Sequence, residues 1–565
     1  MIIERDLAIP MDDGLELRAD VFRPEQSGKF PIVLNMGPYC KGHRYQDAMP
    51  GRWKLMVEEH PDILKGSTCS YMTWETVDPE KWVPDGYVCL RADSRGAGRS
   101  PGFFDPWSPR ENRDLYTCIE WAGTQEWSNG KVGLCGISYY AMNQWTVASM
   151  QPHHLRAIIP WEGAADHYRD VSHHGGIFAN AFLENWLNEL GWPHQHGRGK
   201  NGPMDPWLGK PATGDETLSE DALKANRSDY IGDLRKHYLD DEYMKSRSAD
   251  FSKITVPMLS VGNWSGYGLH ERGNFEGYTQ SKSAEKWLVV HGGNHSDSFY
   301  TEEGVNLQKR FFDHFLKGID NGIQNDSRVL LEVRYPDHSE HRRENEWPLK
   351  RTQWTKLYLS VGDHLLSRTR PAKEEETRFD ANGDGVTLLS PRLDAKTEIT
   401  GPLVARLNVS SSTEDADVFL TVRAFHPDGK ELVFQGSLEP EAPVAQGWLR
   451  ASHRRTDESK STPYRPYHTH DEVQKLVPGK PYELDIEIWP TCVVLPKDFQ
   501  IALTVQGKDF ERAESAGMLG RVAMRGSGPF LHRDAQDRSI EAFKGITTLY
   551  SGPDRESYLL LPIIP

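Results

Sequence analysis

Lys131 to Met150 reads KVGLCGISYYAMNQWTVASM. The first five residues, KVGLC, are strand-like, and GISYYAMNQWTVASM is helix-like. Ser138 stands at the seam. A serine on a tight strand-to-helix turn has its hydroxyl pushed above the C-terminal edge of a sheet, the arrangement of a nucleophile elbow. The backbone N–H of the next residue, Tyr139, then opens a helix N-terminus and can donate to a developing oxyanion. The second glycine of the G-x-S-x-G pattern is replaced by Tyr140. A bare G-x-S is common, so the strand–helix context carries the reading.

Working outward, the same alternation continues. Upstream, GYVCLRAD (86–93) is a buried strand running into the turn SRGAGRSPG, and Glu111–Trp121 has apolar residues near helical spacing. Downstream lie LRAIIP (155–160), VPMLSVGNW (256–264), KWLVVHGG (286–293) and an amphipathic helix near Val305–Leu316. Strands alternating with helices predict an α/β fold with a parallel sheet. Leu15–Phe22 and Pro31–Leu34 read as strands opening a mixed sheet. Residues 165–250, rich in His, Trp, Asn and Gly, interrupt the alternation and read as a helical cap, with Phe178–Leu190 helical. From about residue 350 the segments LVARLNVSSS, VFLTVRAFHPDG, YELDIEIWP and FQIALTVQG alternate with period two, as in an all-β sandwich or jelly roll. The expected organisation is an α/β core over 1–164 and 251–348, a cap over 165–250, and a β domain over 349–565.

Composition narrows the function classes. Sixty-six Lys and Arg against 82 Asp and Glu leave a net charge of −16 across 565 residues, a poor surface for nucleic acid or anionic membranes. No window of about 18 apolar residues occurs, which excludes a membrane-spanning helix. The N-terminus MIIERDLAIPMDDG lacks the basic and apolar regions of a signal peptide. Six scattered cysteines form no CxxC pair, as expected of free thiols in a cytoplasmic protein.

The elbow fixes chain order as Ser, then Asp or Glu, then His. His295, in VVHGGNHSD, follows the last predicted strand of the core; His291 lies closer to the strand interior. Several segments then resemble, in order, the cocaine esterase/X-prolyl dipeptidyl-peptidase group of serine hydrolases (CocE/NonD type, S15-like). These are GPYCK (37–41), GYVCLRADSRGAGRSPG, WSNGKVG with GISYY, VPMLSVGNW, RFFDHFLKG, and LDAKTEITGPLVARLNVSSSTEDADVFLTVRAFHPDGK. The resemblance implies an α/β-hydrolase core with a helical cap and a C-terminal jelly roll of galactose-binding type. It also implies an acyl-enzyme on Ser138, His295 as general base, and an oxyanion hole made by the Tyr39 hydroxyl and the Tyr139 N–H. No cofactor or metal is implied, and the partner is a small ester or amide; a homo-oligomer is compatible with this.

One position departs from the family. Its acid follows a G-W-x-D type pattern, and here Gly262-Asn263-Trp264-Ser265-Gly266 puts Gly266 at the Asp position. Glu162, at the end of the strand LRAIIPW, satisfies the chain order and is the favoured acid. Asp166, four residues on, and Glu271 are the alternatives; a dyad or an inactive site is the third. Two rival functions remain: an X-prolyl dipeptidyl-peptidase or amino-acid ester hydrolase/acyltransferase using carboxylates such as Asp166 and Glu184, and a catalytically inactive binding protein. The Trp-rich cap (Trp186, Trp192, Trp207) points to an apolar or aromatic substrate group. Asp380–Gly385, DANGDG, lacks the closing Glu of a calcium loop. The His pairs 153–154 and 173–174, with HQH (194–196) and HTH (468–470), lack metal-site spacing; His173 or His174 is a candidate pocket residue.

Overall fold

The computed structural model describes residues 1–565, the side chain of Ile540 excepted. Antiparallel β1 (Ile2–Pro10) and β2 (Glu16–Arg23) open the sheet. They are followed by β3 (Phe30–Gly37), β4 (Val88–Asp93), α1 (Pro109–Gly123), β5 (Ser128–Ile137), α2 (Tyr139–Ser149) and β6 (Leu155–Trp161). After an insertion come β7 (Met258–Asn263), α3 (Glu271–Gln280), β8 (Lys286–His291), α4 (Glu302–Phe312) and β9 (Val329–Arg334). The strand order is β1-β2-β4-β3-β5-β6-β7-β8-β9. The β1–β2 and β2–β4 pairs are antiparallel and the rest parallel. β4 and β7 are buried along their whole length, which is why they read as continuous apolar runs rather than alternating ones. α2 is buried from Tyr139 to Ala148, which explains its lack of a charged face.

The insertion is less helical than its sequence predicts. A wide helical turn, His167–Ser172, leads into a two-residue hairpin (His173–His174 with Ile177–Phe178). The expected helix over 178–190 begins only at Asn180, because Phe178 is taken up by the hairpin. It continues through Trp186 and a wide turn to Gly191, ahead of Pro193. A second small hairpin and the short helices Glu220–Ala225, Tyr230–Lys236 and Glu242–Lys245 complete it.

The C-terminal region is strand-rich. Thr397–Ser411 pairs with Tyr482–Leu495, Ile546–Ser551 and Tyr558–Ile564; Asp417–Phe425 pairs with Ala445–Arg450 and Gln500–Gln506. Residues from both groups, including Leu407, Leu420, Ile486, Leu503 and Leu559, share one apolar core. This region is tied to the α/β sheet. Arg334, ending β9, pairs with Val493, and its guanidinium donates to Ser265 Oγ, Thr491 Oγ1 and the Cys492 carbonyl at 2.8, 2.8 and 3.1 Å. Among the described residues, no helix is long and apolar enough to cross a membrane.

Candidate active site

β5 ends at Ile137, and Ser138 takes φ 55° and ψ −113° before α2 begins. A non-glycine residue held in that region is strained and persists only where its surroundings over-determine it. Here the Ser138 N–H is fixed to the Trp161 carbonyl at 3.1 Å, and the Ile137 N–H to the Glu75 carbonyl at 3.1 Å. The turn is tight enough that a Cβ on Gly136 would lie 2.5 Å from Cβ of Tyr140. Tyr140, which breaks the expected glycine spacing, is accommodated from the neighbouring strand: a Cβ on Gly37, at the end of β3, would meet its ring at 2.5 Å. The missing glycine of the motif therefore has its counterpart a hundred residues upstream.

Tyr39 follows β3 and is 7 % exposed. The chain beside it is anchored by charge. The Lys41 N–H donates to Asp93 Oδ1 at 2.6 Å, and the buried Lys41 ammonium lies 3.2 Å from both Asp6 and Asp20. The indole N–H of Trp186, in the insertion, donates to the Tyr39 hydroxyl at 2.9 Å. That contact uses an oxygen lone pair and leaves the phenol hydrogen for another acceptor. The Tyr139 N–H stands at the first position of α2, where no preceding turn supplies an acceptor. The Tyr139 ring is pinned beneath by Glu111, which accepts from its hydroxyl at 2.7 Å, and by Trp107 stacked at 4.6 Å.

Glu162, immediately after β6, is fully buried with φ 49°. Its carboxylate accepts from His295 Nδ1 and Ser437 Oγ, both at 2.7 Å, and from Asn263 Nδ2 at 3.0 Å; His291 Nε2 lies 3.4 Å away. Burial opposes its charge, but His295 and His291 outweigh it and hold this carboxyl well below the usual range. Burial likewise opposes protonation of His295, yet the charge of Glu162 and the bonds to Glu162 and Glu75 lift its pKa to about 9. The His295 N–H is bound to the Ser437 carbonyl at 3.0 Å, so the C-terminal region helps hold both partners.

The other nitrogen of His295 does not meet the serine. Nε2 is 3.0 Å from Glu75 Oε1, and Ser138 Oγ is 3.0 Å from His270 Nε2. His270 and His295 stack with centroids 4.9 Å apart and planes 15° from parallel. Burial, then the neighbouring His295, pushes the His270 pKa down to about 3. Of the expected residues, Glu162 and His295 are thus in direct contact, and Ser138 lies against the same imidazole pair through His270.

The alternative carboxylates lie elsewhere. Asp166 caps the turn at 168–169 and pairs with Arg169 at 2.9 Å; Glu184 is 3.2 Å from Arg235. Glu271 is completely buried, and neither carboxyl oxygen has a partner; burial raises its pKa well above normal. Gly266 stands between the Asn263 carbonyl and Glu271, with 3.2 and 3.5 Å available to a Cβ. Trp186 approaches Tyr39 and Tyr139, whereas Trp192 packs on Phe104 and Trp207 on Tyr71. His173 stacks on Tyr168, and His174 bonds His532 at 2.9 Å, at the junction with the C-terminal region.

Sequence reasoning did not find His270, Glu75, Asn263 or Ser437. His270 has one available signal, its place in the loop after β7 at the C-terminal edge of the sheet, where ligands gather in such folds. Glu162, His270 and His295 also bring one donor atom each within 4.8 Å of one another. Near-parallel imidazoles do not aim their in-plane lone pairs at one point, so this donor set does not fit a metal ion.

Comparison with known proteins agrees with this architecture. Residues 13–297 match the family model for X-Pro dipeptidyl-peptidase (S15 family), and residues 321–560 match the X-Pro dipeptidyl-peptidase C-terminal non-catalytic domain. Cocaine esterase of Rhodococcus sp. (strain MB1 Bresler) is 24 % identical over 630 residues, covering 100 % of this chain and 98 % of the relative. A putative Xaa-Pro dipeptidyl-peptidase of Bacillus anthracis is 22 % identical over 536 residues, covering 88 % and 81 %. The crystal structure of a CocE/NonD family hydrolase from Staphylococcus aureus superposes with a TM-score of 0.84 at 32 % identity, covering 100 % of this chain and 94 % of that one. With both regions matched in order along nearly the whole length, the chain belongs to the S15 X-Pro dipeptidyl-peptidase family of hydrolases, among its CocE/NonD-type members.

Proposed function

We propose that this protein is a serine hydrolase cleaving carboxylic esters through an acyl-enzyme on Ser138, with His295 as general base and Glu162 as the acid that orients it. The single observation carrying this is the 2.7 Å contact between Glu162 and His295 Nδ1, at the strand end beside the strained Ser138 turn. It answers the loss of the family acid at Gly266: the carboxylate has moved from the end of β7 to the end of β6, and Asn263 now donates to it. His270 touches Ser138 but has no carboxylate partner to stabilise an imidazolium, and burial keeps it neutral. His295 is the ring equipped to hold a proton through the tetrahedral intermediate.

In the reaction, His295 Nε2 takes the Ser138 proton as Oγ attacks the carbonyl carbon. The Tyr39 hydroxyl and the Tyr139 N–H receive the oxyanion, a donor of this kind being worth ~3–4 kcal/mol. The imidazolium then protonates the leaving alcohol, and water, deprotonated by the same ring, releases the acid. The finer architecture follows: an α/β-hydrolase core over 1–164 and 251–348, a cap over 165–250, and a jelly roll over 349–565. Six buried free cysteines support a cytoplasmic setting.

The peptidase and amino-ester readings ask for uncompensated carboxylates to bind a substrate ammonium, and the two candidates, Asp166 and Glu184, are already paired with arginines. The test is turnover of a short-chain nitrophenyl ester by wild type and Ser138→Ala, with phosphonate labelling. Loss of about three or more orders of magnitude in the variant, with label on wild-type Ser138, is the expected result. An unlabelled, inactive wild type overturns the reading in favour of a binding protein. Faster cleavage of substrates with a free than with a blocked N-terminus replaces the esterase by a peptidase.

A further inference from the structure

Glu75 is not used by the mechanism above, yet its side chain occupies the atom on which that mechanism depends. It is 2 % exposed and adopts φ 63°, a conformation that strains a non-glycine residue. Its carbonyl binds the N–H of Ile137, and the adjoining Thr76 bridges the backbone of Gly136, so the loop is stapled to the residues just before the nucleophile. Oε1 meets His295 Nε2 at 3.0 Å; Oε2 is buried without a partner. A carboxylate kept for packing alone satisfies both oxygens. This one is half satisfied, strained, and placed on the nitrogen that must take a proton from Ser138. The serine is meanwhile held by His270.

We propose that Glu75 is a positioning residue that latches the free enzyme: its carboxylate occupies Nε2 of His295 while His270 holds the Ser138 hydroxyl, and substrate engagement exchanges these contacts for the Ser138–His295 pair. This rests on the assignment of Ser138 and His295 made above. In the latched state one proton lies between Nε2 and Oε1. Its departure to solvent frees the Nε2 lone pair to accept the serine proton.

The latch sets the pH at which the base becomes available. The titratable and charged groups facing this pair are Glu162 and His270 around His295, His291 through Glu162, and Arg52 with the phenols of Tyr39, Tyr45, Tyr140 and Tyr300 around Glu75. The four phenols are held above their ordinary range by burial and stay neutral. Burial raises the Glu75 carboxyl above its ordinary range while the bond and charge of His295 oppose that rise, and two carboxyl groups flank one imidazole.

The experiment is the pH profile of kcat/KM, which reports the free enzyme, for wild type and Glu75→Gln with a nitrophenyl ester. Expected is a wild-type acid limb with its midpoint near 9 and a Glu75→Gln midpoint lower by at least about one pH unit, because one of two carboxylates on the ring is gone. A purely structural role scales kcat/KM equally at every pH, so an unmoved midpoint overturns the proposal. Should Glu75→Gln fold poorly, Glu75→Asp, whose shorter side chain withdraws the carboxylate from Nε2, takes its place, and an unmoved midpoint again overturns the proposal. Ser138→Ala and phosphonate labelling separate the two levels. If Ser138 labels and its loss abolishes turnover while the midpoint stays put, the latch fails and the serine hydrolase stands; if Ser138 does not label, the underlying assignment fails.

Discussion

Replacing Glu162 by Gln removes one charge and almost no volume, and the structure sets the size of the effect. The carboxylate accepts from three donors, with His295 and Ser437 on Oε2 and Asn263 on Oε1. An amide offers one oxygen and one NH₂. With the oxygen toward His295 and Ser437, its NH₂ faces the Asn263 donor. With the oxygen toward Asn263, its NH₂ forces Nδ1 to become an acceptor and places the ring hydrogen on Nε2, where a base needs a lone pair. The electrostatic part is read from His295, whose pKa stands at about 9 against an ordinary 6.5. At ~1.4 kcal/mol per pH unit this is ~3.5 kcal/mol of imidazolium stabilisation, worth up to roughly 300-fold on the kcat/KM plateau above about pH 9, where the ring starts neutral, and Glu162 supplies the larger part of it. With the tautomer effect added, the plateau kcat/KM for a nitrophenyl ester, read above about pH 9 where wild-type His295 is neutral, is expected to fall by about two to four orders of magnitude. The assay is saturation kinetics with Ser138→Ala as the floor and melting temperature as the check on folding. A folded Glu162→Gln enzyme that loses less than about tenfold refutes the reasoning. In that event Glu271→Gln, expected to leave kcat/KM unchanged, becomes the variant to examine.

Three further outcomes are expected. The Glu162–His295 pair gives a signed pH dependence of stability: the lowered carboxyl contributes above its ordinary 4.5, and the raised imidazole contributes fully below 6.5 and is lost as pH rises through about 9. The melting-temperature deficit of Glu162→Gln should therefore be largest between those first two values and shrink toward pH 10, as scanning fluorimetry across pH would show; a deficit that grows above pH 9 contradicts the sign. Ser437→Ala removes a donor from the buried carboxylate, at a cost of ~1.5–3 kcal/mol for a bond to a charge, and should lower kcat/KM about tenfold or more in ester turnover although the residue lies in the C-terminal region. Gly37→Ala forces the Tyr140 ring aside and should destabilise by ~1–3 kcal/mol in denaturant titrations, with Gly37→Ala/Tyr140→Ala recovering part of the loss; strict additivity of the two changes rules out the contact as its cause.

Much of this molecule is determined by local sequence, because local sequence controls backbone geometry. The run from Lys131 to Met150 specifies strand, turn and helix. The apolar runs at 86–93, 155–160 and 256–264 specify buried parallel strands, and the period-two segments after residue 350 specify a region without long helices. The elbow's rule of chain order led from Ser138 to Glu162 and His295, since strand ends can be read from where apolar runs stop. The insertion was less legible: its hairpins are two residues long, too short to show a period, and Phe178 left the expected helix for one of them.

Only the tertiary structure decided what stands beside each functional atom. Glu75 meets His295 across 220 residues of chain, and Ser437 meets Glu162 across 275. Neither pair has a spacing rule, because the contact is made by packing loops from different layers. The place of His270 depends on the turn at Gly268, where a Cβ would strike Phe530 of the C-terminal region at 2.5 Å. The fit of Tyr140 depends on Gly37, at the end of the neighbouring strand and a hundred residues upstream. Periodicity and motif spacing report which way a chain runs and which face is buried. The partners of a buried carboxylate or imidazole follow from the requirement that every buried charge find hydrogen bonds, and that is settled only when all the layers close around it.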